Sequence, residues 1–242
     1  ANSPMTLAIQ LGHAGRKASS QTPWEGGLQV RPDQPGGWLA EAPSALPHGP
    51  AEVPPVALYD AGLVRVRRAF ADAAVRAVRA GFVGIELHAA HGYLLHEFLS
   101  PISNQRNDAY GGSLAARMRF PLEVFEAVRG AVPAQVPVWV RLSATDWVDG
   151  GWDLDSSIAF SQALKARGCA AIHVSSGGVS PLQRINLGPG YQVHFAQAIK
   201  AAVGLPTIAC GLITEAEQAD AIVRDGQADA VALARGILYD PH

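Results

Sequence analysis

Cysteine is nearly absent from this sequence: only Cys169 and Cys210 occur among 242 residues, far apart and in no metal-ligand spacing. That excludes a disulfide framework and a cysteine-rich zinc module. Charge is scarce too, at 17% of residues with a formal net charge of −2, so no global field favours nucleic acid or a membrane surface. No apolar run is long enough to span a bilayer. The opening residues ANSPMTLAIQ lack the charged region and cleavage site of a signal peptide, so a reduced cytoplasmic protein is the expectation. There is no GxGxxG fingerprint and no Walker lysine motif, which leaves neither a Rossmann dinucleotide site nor a P-loop.

What is present is alternation. Six short apolar runs, Leu7–Leu11, Val83–Leu87, Val136–Leu142, Ala170–Ser175, Leu205–Ala209 and Ala228–Leu233, are separated by longer helical patterns. Most are apolar on both faces, as buried parallel strands are. Within Leu58–Ala80, Val66, Phe70, Ala73, Ala74 and Ala77 recur at spacings of three and four, and Phe120, Val124, Ala127 and Val128 repeat the pattern. Thr214 and Glu217 have the spacing of a capping box that starts a helix stopping near Gly226. This order predicts one parallel sheet of βα units, either doubly wound or a barrel.

The strand ends favour the barrel. Polar and glycine residues follow nearly every run: Gln10 and His13, His88 and His91, Arg141, Ser175–Gly178, Gly211, then Arg235 and Gly236. A doubly wound sheet concentrates its site at one switch point, whereas a (β/α)₈ barrel gathers every C-terminal strand end at one mouth. If the last two runs are strands seven and eight, about six of eight units are present. The first two units and a closing C-terminal helix are then expected to be missing from a single domain over 1–242. The proline- and glycine-rich segment 17–55 carries Trp24 and Trp38 without periodicity, and reads as a long loop over the mouth with room for a small hairpin.

The stretch IELHAAHGY raises the chemical question. Residues three apart on an extended chain point to opposite faces, so a metal role for His88 and His91 would require a turn and further ligands such as Asp146, Asp149 or His173. Alternatively, two neutral imidazoles donate hydrogen bonds to one oxygen and stabilise its developing charge, with Tyr93 as a proton donor. Arg141, inside VWVRLS, needs either a carboxylate such as Glu86 or an electron-poor ring. Gln10 suits an amide-like ring edge, and Gly211 with Arg235 suits a phosphate. Gly177–Gly178 allows either backbone approach to a ligand or a tight turn.

Taken together, IQLGHAGRKAS, GIELHAAHGYLLHEFLSPISNQRNDAYGGS, VWVRLS, HVSSGG, CGLIT and ALARGILYDP resemble the old yellow enzyme family of FMN-dependent oxidoreductases, in its YqjM-like and xenobiotic-reductase branch. The resemblance runs over nearly the whole chain. It implies a TIM barrel with FMN at the mouth and NADPH or NADH as hydride donor. The implied reaction reduces the C=C bond of α,β-unsaturated carbonyls, with nitro compounds or quinones as other oxidants. Gln10 would contact the flavin pyrimidine edge and Arg141 the N1/C2 side. Gly211, Leu212, Ala234 and Arg235 would hold the phosphate, His88 and His91 the substrate oxygen, and Tyr93 the transferable proton. Arg106 and Asp108 would be structural, before a helix capped near Ser113. The family carries two further βα units before IQLGHAGR, so a chain of six units is expected to be poorly stable and to bind FMN weakly. Alternatives are an inactive fragment of such an enzyme and a metal-dependent barrel hydrolase. A small-molecule substrate is the expected partner, and the resemblance allows a dimer or tetramer.

Overall fold

A computed structural model describes residues 5–239. All six apolar runs become strands of one parallel sheet: β1 (Ala8–Leu11), β4 (Gly84–Ala89), β5 (Val138–Ser143), β6 (Ile172–Ser175), β7 (Thr207–Ala209) and β8 (Ala230–Val231). They lie in sequence order across the sheet, with β1 and β8 outermost. Helices α1 (Asp60–Arg79), α3 (Leu114–Ala131), α4 (Leu154–Lys165), α5 (Val193–Val203) and α6 (Ala216–Arg224) alternate with the strands, while a short α2 (Leu94–Leu99) follows β4 and α7 (Arg235–Tyr239) follows β8. Each strand-to-strand step is a βα crossover, and the whole is a partial (β/α)₈ barrel.

Strand pleating separates two chemistries. In β4, Ile85, Leu87 and Ala89 join the apolar core under the helices, with Phe70 and Ala74 of α1 and Val124 and Val128 of α3. Glu86 and His88 alternate with them and lie on the other face. Parallel register then lines up polar residues on that face: Gln10 opposite Glu86, Glu86 opposite Trp139, His88 opposite Arg141, and Arg141 opposite His173. Because the strands are all parallel, their C-terminal ends share one rim.

Two helix starts follow local side-chain capping and one departs from it. Ser113 caps α3, its Oγ accepting from the Ala116 N–H at 3.3 Å, and Asp153 caps α4 by accepting from the Ser156 N–H. The Thr214–Glu217 capping box does not form. The helix begins at Ala216, the Thr214 hydroxyl bonds Glu215 instead, and Gln218 reaches back to the Thr214 N–H at 3.4 Å. Glu215 takes the N-cap position instead, with extended backbone (φ −107°, ψ 139°), one residue past Thr214. The helix does stop before Gly226, itself left-handed.

Segment 17–55 contains a small antiparallel bridge between Ser20 and Gln29, and its β2 (Glu41–Ala42) pairs in parallel with β3 (Val56–Ala57), just past its end. Arg106 ties it down by donating to the Pro43 and Leu58 carbonyls while pairing with Asp108 at 3.0 Å. Arg16, 5% exposed, donates to the carbonyls of Leu46, Pro47 and Val179. Trp24 is left 85% exposed.

Candidate active site

The turn after β4 is built by close backbone contact. His91 (φ 58°) and Gly92 (φ 71°) are consecutive left-handed residues. A Cβ at Gly92 would sit 2.2 Å from the Gly178 carbonyl oxygen, and a Cβ at Gly178 would sit 2.5 Å from His91 Cα. Gly178 therefore admits the neighbouring loop's backbone. Lys17 bridges the two loops, its Nζ donating to the His91 and Gly178 carbonyls at 3.0 Å each.

A buried relay fixes the same turn from below. The Gly92 N–H donates to His96 Nδ1 at 2.9 Å, and His96 Nε2 lies 2.9 Å from Asp146 Oδ1, both side chains wholly buried. Asp146 Oδ2 accepts from Ser100 Oγ at 2.6 Å and from the Trp152 N–H at 2.7 Å. Burial pushes the Asp146 carboxyl up, but His96, Ser100 and Trp152 outweigh it and hold it below the usual carboxylate range. Asp146 thus serves the turn, with no convergence on His88, His91 or His173 into a ligand group.

The turn presents three side chains together. The His88 ring lies 5.2 Å from His91 and 4.8 Å from Tyr93, centroid to centroid. His88 Nδ1 accepts from the Ala90 N–H at 3.2 Å, so the neutral ring carries its proton on Nε2 and is a donor there. His91 Nε2 is held by Ser175 Oγ at 2.7 Å, leaving Nδ1 for a ligand. Burial, reinforced by the Arg141 cation, lowers His88 to about 4 and His91 to about 2. Both imidazoles are neutral at pH 7, so each ring carries one N–H donor and one acceptor nitrogen.

On the barrel-interior face, Glu86 is not the partner of Arg141, contrary to one of the sequence alternatives. Its Oε1 accepts from Gln10 Nε2 at 2.5 Å, and its Oε2 accepts from Trp139 Nε1 at 2.6 Å and pairs with His173 Nδ1 at 2.7 Å. Register explains this: Glu86 stands directly beside Gln10 and Trp139, one pleat below the His88–Arg141 pair. Among the described residues Arg141 is left with only a long 3.9 Å contact from Nη2 to Cys210 Sγ, and its buried Nε has no partner there.

A cavity of about 600 Å³ opens beside these residues, at the rim of β5 to β8. Arg141, Gly211, Leu212, Ala234 and Arg235 all line it. Gly211 (φ 109°) leaves no room for a side chain, since a Cβ there would meet Gln192 Nε2 at 2.4 Å. Gln192, almost fully buried, accepts from Ser176 Oγ at 2.5 Å and donates to the Cys210 carbonyl at 3.2 Å. Gln10 is the site candidate that lies apart, on the outer strand with its amide turned to Glu86. Ser175 joins the two halves, lining the cavity and holding His91.

Sequence reasoning missed Lys17, His96, Ser143 and Gln192. Ser143 Oγ accepts from the His91 N–H at 2.9 Å and donates to the Gly177 carbonyl at 2.8 Å. His96 and Lys17 did carry a signal, since both lie inside the two long motifs, but their partners are distant in sequence.

The family model for the NADH:flavin oxidoreductase / NADH oxidase family matches residues 4–242. A curated NADPH dehydrogenase of Geobacillus thermodenitrificans is 42% identical over 98% of this chain and 64% of its own length. The NADH:flavin oxidoreductase FG08077 of Gibberella zeae is 40% identical over 97% of this chain and 61% of its own. The chain therefore spans less than two thirds of these relatives. Among solved structures, a 2-naphthoyl-CoA reductase complex superposes with a TM-score of 0.82 at 26% identity, covering 97% of this chain and 36% of that one. Morphinone reductase in complex with tetrahydroNAD gives 0.75 at 30% identity, covering 97% and 63%.

Proposed function

Because this chain belongs to the NADH:flavin oxidoreductase / NADH oxidase family, the old yellow enzymes, we propose that it serves the FMN-dependent reduction of activated C=C bonds by NADPH or NADH, on α,β-unsaturated carbonyls and, by the same polarisation, nitro compounds or quinones. The observation that carries this reading is a cluster of two neutral histidines and Tyr93, joined through Ser175 and the His88–Arg141 register to a cavity lined by Arg141 and Arg235. The cofactor fits the residues present. The unpartnered Nε of Arg141 asks for a polarised acceptor, and Arg235 with the glycine turn at Gly211 suits a phosphate.

We assign Arg141 to the N1/C2 side of the ring, and Gly211, Leu212, Ala234 and Arg235 to the phosphate. Gln10 is assigned the pyrimidine edge, for which it would exchange its bond to Glu86. When bound, FMN supplies the hydride. The His88 Nε2–H and His91 hold and polarise the substrate oxygen, and each such donor is worth on the order of a hundredfold in rate. Tyr93 delivers the proton to the α-carbon. Two free buried cysteines are compatible with a reduced cytoplasmic setting. A homo-oligomer is proposed from the family likeness alone, and sedimentation of the purified chain tests it.

The direct test is spectroscopic. Titrating the purified chain with FMN should quench flavin fluorescence, NADPH should bleach the visible bands under anaerobic conditions, and an enone should restore them. Tyr93→Phe should slow the restoration by about a hundredfold or more while leaving the bleaching unchanged. Unchanged flavin fluorescence on titration would sink the reading.

A further inference from the structure

The cavity has a floor that the proposed reaction does not use. Cys210 closes β7's end there, 8% exposed and lining the cavity with Arg141 and His173. Its Sγ is offered N–H donors by Gln192 Nε2 at 3.6 Å and Arg141 Nη2 at 3.9 Å, and in the thiol form donates to the Val174 carbonyl at 3.3 Å. His173, 7% exposed, presents Nδ1 to Glu86, while its other nitrogen, Nε2, is buried and, among the described residues, has no hydrogen-bond partner other than the nearby Cys210 thiol. An unpaired buried ring nitrogen is costly unless something enters to use it. A cysteine flanked by an imidazole, itself oriented by a carboxylate, is the arrangement that activates a thiol.

We propose that, while the cavity holds no flavin, Cys210 is an activated thiol at its floor that adds covalently to soft α,β-unsaturated carbonyl electrophiles, with His173 as its proton partner. The thiol proton passes to His173, and the sulfur forms a bond to the β-carbon. The C=C π pair moves to the α-carbon, which then takes the proton from His173. Nothing is oxidised or reduced, and no co-reactant is needed. Several groups set the charge at this sulfur: Arg141 on β5, His173 on β6 with Glu86 of β4 behind it, and Tyr191 ahead of α5. Burial pushes the thiol up, but His173, Arg141 and Ser175 outweigh it and hold it below the ordinary thiol range. Cys169 is the internal contrast. It is 5% exposed and does not line the cavity, and burial pushes it up to about 12.

The test is time-resolved labelling of the flavin-free purified chain with N-ethylmaleimide, read by peptide mass spectrometry. Cys210 should be modified at least about tenfold faster than Cys169 at pH 7, with an inflection below the ordinary thiol value of about 8.5. His173→Gln should move that inflection upward, a change that mere access to the cavity would not produce. Equal rates at the two cysteines, or a wild-type inflection near 8.5, would overturn the proposal, and the wild-type profile decides even if the variant fails to fold. Adding FMN reads the cofactor placement separately. Protection of Cys210 supports that placement, whereas unchanged labelling removes FMN from this cavity and leaves the activated thiol established.

Discussion

The two halves of the rim are built on opposite plans. After β4, the His91–Gly92 turn is held by buried and half-buried groups: Gly178 against it, Lys17 across it, Ser143 and His96 on its amides, Asp146 beneath. After β7 and β8 the rim is open, with Arg235 exposed and a cavity of about 600 Å³ beside it. The difference separates two tasks. A pair of hydrogen-bond donors must be held within tenths of an ångström to polarise an oxygen, whereas a phosphate site works through charge and tolerates open solvent.

The largest break in this contrast should come from Asp146→Ala. It removes the carboxylate from His96, Ser100 and the Trp152 amide at once, and unfolding in urea should show a loss of about 3 kcal/mol or more. Acidification comes next. His88 and His91 have folded pKa values of about 4 and about 2 against 6.5 when unfolded, so the unfolded chain takes up protons first as pH falls. The stability they give is present above about pH 6.5 and is lost as pH falls below it, on the order of 1.4 kcal/mol per pH unit for each ring. Glu97, raised to about 8 by burial, acts with the opposite sign, so the effect is read as wild type minus the His88→Gln, His91→Gln double variant, between pH 6 and 5. Parallel stability curves for the two proteins would discard it.

Gly92→Ala is smaller. It places a Cβ against the Gly178 carbonyl at positive φ and should cost about 1–3 kcal/mol, with the thermal midpoint as the readout. Smallest in stability is Arg235→Ala, within about 0.5 kcal/mol because the side chain is exposed. The same substitution should weaken FMN binding about tenfold or more in a fluorescence titration. An equal loss of folding at Arg235 and at Asp146 would erase the distinction between the two halves.

Much of this was legible in the linear sequence, because the information is local. Apolar runs of strand length and helical spacings at Val66, Phe70 and Ala74 report burial directly, and the capping of α3 by Ser113 is a contact across three residues. The capping box at Thr214 failed because the helix starts one residue later, with the extended Glu215 at its N-cap, a shift that no spacing rule reads. The alternative that set Glu86 against Arg141 fails for a related reason. Proximity in the sheet is set by register, and register places Gln10 and Trp139 beside Glu86 and lifts Arg141 one pleat higher.

The sequence by itself determined that this chain is a parallel βα sheet with polar strand ends, and its motifs determined the family. Only the tertiary structure decided the states and partners of those ends. It made His88 and His91 neutral by burying them beside Arg141, gave Asp146 to a hidden histidine, left Arg141 Nε unpaired among the described residues, and set Cys210 beside the His173 ring. Burial and charge proximity are sums over neighbours distant in the chain, so they exist only once the strands have paired.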